Sequence, residues 1–71
     1  MELSVAEKID IIRRRQKMSM GDLAEASGQS RQNLSNKMKR NNFTVSDIVK
    51  LSEALGCQVD VVFTLPDNTS I

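Results

Sequence analysis

The chain has 71 residues, a formal net charge of +1, one cysteine and no histidine. A chain this short forms one domain at most and buries only about 60% of the surface its unfolded form exposes. An intramolecular disulfide is impossible, and a structural zinc site lacks ligands, so neither of the usual staples of small domains is available. The single thiol fits a reduced, cytosolic setting. No apolar run is long enough to cross a bilayer, and no secretory signal is read at the start.

The small net charge hides an asymmetry. Residues 1–43 carry nine Lys/Arg and five Asp/Glu, a net of +4, whereas residues 44–71 carry one Lys and four acids, a net of −3. A basic front and an acidic back suit a module with one anion-facing side, although solvated helix faces give the same count.

The spacing predicts a first helix from Ser4 to Lys17. Ser4 and Glu7 have the separation of a capping box, and Val5, Ile9 and Ile12 recur at helical spacing. Arg13, Arg14, Arg15 and Lys17 crowd its last turns, where cations suit the helix dipole or could meet phosphates. Ser19 opens a second helix, Met20 to Ser27, with Leu23 and Ala24 inward. Gly21 weakens its first turn slightly, and Gly28 ends it in the left-handed conformation.

Ser30 caps a third helix running to about Lys39. Its apolar stripe is only Leu34 and Met38, so most of its surface is free. Asn41 and Asn42 end it. Thr44 or Ser46 opens a fourth helix to Leu55, with a broad apolar face of Val45, Ile48, Val49, Leu51 and Leu55. Phe43 packs at its entry, and Gly56 stops it.

Signals for catalysis are missing. There is no histidine for a triad, no glycine-rich phosphate loop and no metal-ligand spacing. Asp22 and Glu25 form the kind of carboxylate pair any helix offers, and Cys57 has no basic neighbour in sequence to activate it. No enzyme, cofactor, metal or small-molecule ligand is expected.

What the chain does contain is an ordered spacing. Ala24 lies four residues before Gly28, and Leu34 lies six after it. Two helices crossing at a wide angle need a small residue at their contact, a turn that accepts positive φ, and an anchor for the second helix. A helix so held presents its opposite face, and its first turn can meet base edges in the major groove.

On these residues the chain resembles the lambda-repressor-like, Cro-type helix–turn–helix domains of bacteria and phages. Their pattern is Leu-Thr-Gln-x-x-Leu-Ala, then x-x-x-Gly-Val-Ser-Arg-x-x-Ile-Ser. Leu23, Ala24, Gly28, Ser30, Arg31 and Ser35 match it outright, and Met18, Ser19 and Leu34 are close substitutes. The resemblance extends over roughly residues 4–56. Met20 stands where members often carry a phosphate-holding Gln, Gln29 where they carry Val, and Lys37 where they carry a buried aliphatic. Met38 is expected to take over as the anchor.

The resemblance implies double-stranded DNA as the partner. Arg31, Gln32, Asn33 and Asn36 would contact bases, with Arg suited to guanine and Gln or Asn to adenine. Ser19, Ser30, Lys39, Arg40, Asn41 and Asn42 would contact phosphates. It also implies a cytoplasmic, nucleoid-associated protein of bacterial or phage origin.

The C-terminal segment alternates Val59, Val61, Phe63 and Leu65, the pattern of a strand over residues 58–65, with a short fifth helix as the alternative. Residues 66–71 are read as a loose tail. Within the chain, only the stretch near Leu3 and Val5 offers itself as a strand partner. The economical partner is the same strand of a second copy, antiparallel across a two-fold axis, with Val59, Val61, Phe63 and Leu65 in the interface. Such a dimer would set two recognition helices about 34 Å apart.

The expectation is one all-α helix–turn–helix domain over 1–71, ending in a dimerisation strand. It would act as a small homodimeric transcriptional regulator, a repressor for which occupancy of a promoter suffices. The alternative is a protein-interaction module, an antitoxin or accessory subunit built on the same fold.

Overall fold

The computed structural model describes residues 3–71 and contains four helices: α1 (Val5–Arg15), α2 (Met20–Ala26), α3 (Arg31–Arg40) and α4 (Val45–Ala54). Each begins at a hydroxyl residue in extended conformation: Ser4, Ser19, Ser30 and Thr44. In each case that side chain accepts the backbone N–H three residues on, satisfying one of the donors a helix start leaves open. The boundaries fall within a residue or two of those the sequence implies, and Thr44, rather than Ser46, opens α4.

The helices also end alike. Each is followed by one residue in the left-handed region: Lys17 (φ 57°), Gly28 (76°), Asn41 (49°) and Gly56 (71°). After each, two backbone N–H groups turn back onto the last carbonyls of the helix. The pairs are Met18 to Arg13 with Lys17 to Arg14, Gln29 to Ala24 with Gly28 to Glu25, Asn42 to Lys37 with Asn41 to Met38, and Cys57 to Ser52 with Gly56 to Glu53. This is the Schellman arrangement.

The core is small. Ile9, Leu23, Ala24, Leu34, Leu51 and Leu55 are buried, and Val5, Ile12, Met18, Met20, Met38, Phe43, Ala54 and Cys57 pack around them. At least one buried side chain comes from every helix, and removing any of the three largest (Leu23, Leu34, Leu51) would cost about 2–5 kcal/mol. The broad apolar face read for α4 is narrower in the fold. Leu51 and Leu55 are buried, but Val45 and Val49 point to solvent.

Two polar ties brace the bundle. Gln16 Nε2 donates to the Leu55 carbonyl at 2.6 Å, joining the end of α1 to the end of α4. The Ala6 N–H donates to Asn41 Oδ1 at 3.0 Å, joining the start of α1 to the end of α3.

The C-terminal segment departs from expectation. Among the described residues there is neither a fifth helix nor a continuous strand over 58–65. Residues 57–63 run on without turn or bend, and Thr64 and Ser70 form an isolated antiparallel bridge. Phe63 and Ile71 exchange two backbone hydrogen bonds (2.8 and 2.9 Å), and the Leu65 N–H donates to the Thr69 carbonyl. Between them the Asn68 N–H closes a turn onto the Leu65 carbonyl, with Pro66 and Asp67 inside it and Asn68 left-handed (φ 70°). Asp67 Oδ1 accepts from the Thr69 N–H and hydroxyl. The tail read as loose therefore folds back, and the tail, not Leu3–Val5, is the intrachain partner of residues 63–65. The whole is elongated, 43 × 22 × 21 Å.

Candidate nucleic-acid interface

The positioning of α3 follows from its inner residues. Leu34 is fully buried, and Met38, one turn on, packs against the core as the expected second anchor. Lys37, standing where related domains bury an aliphatic, turns its ammonium to Asp47 Oδ1 at 2.8 Å. That carboxylate also accepts the Thr44 N–H, so α3 is tied to the cap of α4. The two contacts, Lys37 first, hold the Asp47 carboxyl below its ordinary value of 3.8.

With Leu34 and Met38 inward, helical geometry sets Gln32, Asn36, Lys39 and Arg40 on the opposite side and Asn33 at its edge. All five are exposed, as is Arg31 in the first turn. Arg31 and Lys39 are separated by about 12 Å along the axis. Among the described residues, none of Arg31, Lys39 and Arg40 is in an ion pair. The structure thus sets Gln32, Asn33 and Asn36, with Lys39 and Arg40, on the solvent-facing side of α3, while Arg31 is exposed at the helix start but nearer the Leu34 side.

The start of α3 differs electrostatically from the other three. In α1, α2 and α4 an acid at the third helical position (Glu7, Asp22, Asp47) reaches back to the cap N–H and completes a capping box. Those bonds to Ser4 and Ser19 hold Glu7 and Asp22 below their ordinary values. In α3 that position is Asn33, the first turn holds no acid, and the Ser30 hydroxyl alone accepts an N–H, from Asn33 at 3.1 Å. The positive end of the α3 dipole is therefore left uncompensated beside Arg31, a setting that favours an anion.

The remaining candidate residues sit at helix ends. Ser19 and Ser30 are exposed caps whose oxygens accept Asp22 and Asn33 N–H groups, leaving each hydroxyl proton to donate outward. Asn42 is exposed beyond α3. Asn41 is exposed too, but its side-chain carbonyl is engaged by Ala6. Its position is explained by the left-handed stop and that tie. Met20 packs against the core. Gln29 donates to Ser27 Oγ at 3.0 Å, while its Oε1 is buried without a partner among the described residues.

Of the basic cluster in α1, Arg13 is structural. Its guanidinium holds Asp10 through two nitrogens and donates to the Met18 carbonyl at 2.8 Å, bracing the turn into α2. Arg14 also meets Asp10, at 3.1 Å, but is largely in solvent.

No helix among the described residues is long and apolar enough to cross a membrane, and no group of three or more His, Cys, Asp or Glu there could hold a metal ion. Helices α2 and α3, joined by the Gly28 turn and packed through Ala24 and Leu34, define a helix–turn–helix protein. The chain matches the Cro/C1-type HTH DNA-binding domain over residues 8–67, and it belongs to that family. Comparison with curated proteins and with solved structures gives no significant match. Membership supports DNA binding and a part in transcription regulation. The feature of α3 that sequence reasoning passed over is the missing acid at position 33.

Proposed function

We propose that this protein is a sequence-specific double-stranded DNA-binding repressor that acts as a homodimer. The observation that carries the reading is the surface of α3. Arg31, Gln32, Asn33 and Asn36 lie exposed there, at a helix start that no acid neutralises. Arg31 is suited to a bidentate contact with guanine, and Gln32, Asn33 and Asn36 to adenine, each worth about 1–3 kcal/mol of discrimination. Lys39, Arg40, Asn42 and the hydroxyls of Ser19 and Ser30 position the helix on phosphates. Repression requires only occupancy of a promoter. The exposed apolar residues Val59, Val61, Phe63 and Leu65 supply a surface for a second copy.

The test is selection of bound duplexes from a random DNA pool, repeated with Gln32→Ala. The expected result is an enriched palindromic motif that relaxes at one base pair per half-site in the variant. No enrichment would overturn the DNA reading, and an unchanged motif would remove Gln32 from the base contacts. Binding should weaken steeply with salt, because phosphate contacts release counterions. A salt-independent complex with a protein instead of DNA would favour the accessory-subunit reading, to which the same exposed apolar arm lends support.

A further inference from the structure

The start of α3 departs from the other three helix starts in two ways. The missing acid at position 33 is one, and the other precedes the cap. The residue before the capping hydroxyl is Leu3 for α1, Met18 for α2 and Phe43 for α4, all apolar. Met18 and Phe43 pack against the core. From that place an apolar side chain staples a helix entry by packing on the fourth helical residue. In α3 the fourth helical residue is Leu34, fully buried and suited to a staple. The residue before Ser30 is nevertheless Gln29.

Gln29 is a poor filler of that place. Its side chain is half-buried, and its Nε2 donates to Ser27 Oγ at 3.0 Å. The proton of Ser27 is already engaged by the Leu23 and Ala24 carbonyls, at 2.8 and 3.2 Å. Turning the amide over would only set its oxygen against a hydroxyl with no proton left to give. Gln29 Oε1 is thus buried without a partner among the described residues. An unpaired buried acceptor costs free energy that an apolar side chain at the same position would not. That cost is recovered by any partner that draws the side chain out.

We propose that Gln29 is a DNA-contacting residue, withdrawn into the turn in the free protein and swung out on binding so that its Nε2 donates to a backbone phosphate oxygen. The proposal rests on the DNA reading above and adds a residue to it. Gln29 adjoins Ser30, whose hydroxyl proton is free to donate outward, at a helix start with no acid in its first turn. The field there favours an anion. Both neighbours, Gly28 and Ser30, are exposed, so the side chain leaves toward solvent and not through the core. Release breaks one hydrogen bond, to Ser27, lets Oε1 meet water and gives Nε2 a charge-assisted bond. The two departures at α3 then have one reason. An acid at position 33 would repel the phosphate, and an apolar residue at position 29 would have no donor for it.

The full-length protein tests this with Gln29→Val and Gln29→Lys, each read by thermal melting, by duplex titration across salt and by duplex selection from a random pool. Gln29→Val should melt higher than the wild type yet bind the selected duplex about tenfold more weakly. Its salt slope should be unchanged, because an amide releases no counterion, and its motif should be unchanged, because a phosphate carries no sequence. Gln29→Lys restores a donor and should recover the affinity, with the slope of log affinity against log salt steeper by about 1 per protomer. Single neutral methylphosphonates placed along the duplex should reveal one position per half-site whose effect on the wild type vanishes in Gln29→Val. Wild-type affinity in Gln29→Val overturns the contact. A lower melting temperature in that variant shows that the amide supports the turn, and overturns the withdrawn state. A motif altered at one base pair moves the contact to a base edge and overturns the phosphate. A wild type that binds no duplex overturns the DNA reading and this contact with it, whereas the other outcomes touch the contact alone.

Discussion

The ammonium of Lys37 lies 2.8 Å from Asp47 Oδ1, so α3 is fastened to the capping box of α4 by one ion pair. Both side chains are largely shielded from solvent. The pair turns a position that would otherwise be an aliphatic anchor into an electrostatic one, with a pH dependence attached.

Glu7, Asp22 and Asp47 all have carboxyls held below their ordinary values of 4.5, 3.8 and 3.8. Each therefore contributes stability that is fully present above its unfolded value and lost as pH falls through the lower folded value. Melting temperature should be flat from pH 7 to about 5, then fall steadily below about pH 4.5. In Lys37→Met the decline should be shallower, and a carboxyl NMR titration should place Asp47 nearer its ordinary value. Glu7 and Asp22 should titrate unchanged. An Asp47 titration identical in the variant would remove Lys37 as the cause.

The bare start of α3 makes stability and binding separable. Asn33→Glu places an acid where the other helices carry one and completes a capping box with Ser30. It should raise stability by about 0.5 kcal/mol. The same carboxylate faces any bound phosphate or base edge, and duplex affinity should fall tenfold or more. Chemical denaturation and duplex titration measure the two effects. A variant that is both stabilised and fully active would contradict the assignment of this surface to DNA.

Basic residues of α1 and α3 should respond differently to removal. Lys39→Ala and Arg40→Ala should leave the melting temperature nearly unchanged and each reduce the slope of log affinity against log salt by about 1 per protomer. Arg13→Ala should do the opposite, lowering stability by about 1–3 kcal/mol while leaving the salt slope intact, since it leaves the Met18 carbonyl without its donor and Asp10 with Arg14 alone. A large change of salt slope in Arg13→Ala would overturn its structural assignment.

Two positions hold stability in reserve. Lys17 occupies the left-handed stop of α1 that glycine fills after α2 and α4. Lys17→Gly should gain about 1 kcal/mol, a rise of roughly 4–8 °C in melting temperature for a domain of this size. Gln29→Val removes the buried, unpaired Oε1 and should stabilise by about 1 kcal/mol or more. Unchanged melting in both would show that neither strain nor burial costs anything there.

The parts legible in the sequence were those that local chemistry determines. Ser4, Ser19 and Ser30 announce helix starts, Gly28 and Gly56 announce stops, and Leu23, Ala24 and Leu34 announce the packing of α2 on α3. Less legible were features that depend on who sits nearby. Val45 and Val49 continue the helical apolar period, yet the described residues leave them exposed. Lys37 reads as one more surface cation until Asp47 is brought beside it. The fold-back of the tail is carried by Pro66, Asp67 and Asn68. These are turn residues in sequence, but without a partner strand in view they read as an ending. Asn41 reads as a polar surface residue, and its tie to Ala6 spans 35 positions.

A Cβ built at Gly28 meets no atom within 4 Å. What the turn demands there is a sign of φ, not room. Mirror-image alanine prefers positive φ as ordinary alanine prefers negative, so at position 28 it should meet the backbone demand of the turn and stabilise the fold by reducing the entropy of the unfolded chain. A chain of 71 residues is within reach of chemical ligation, so one mirror-image centre at position 28 would separate what the turn asks of its backbone from what packing asks of the helices.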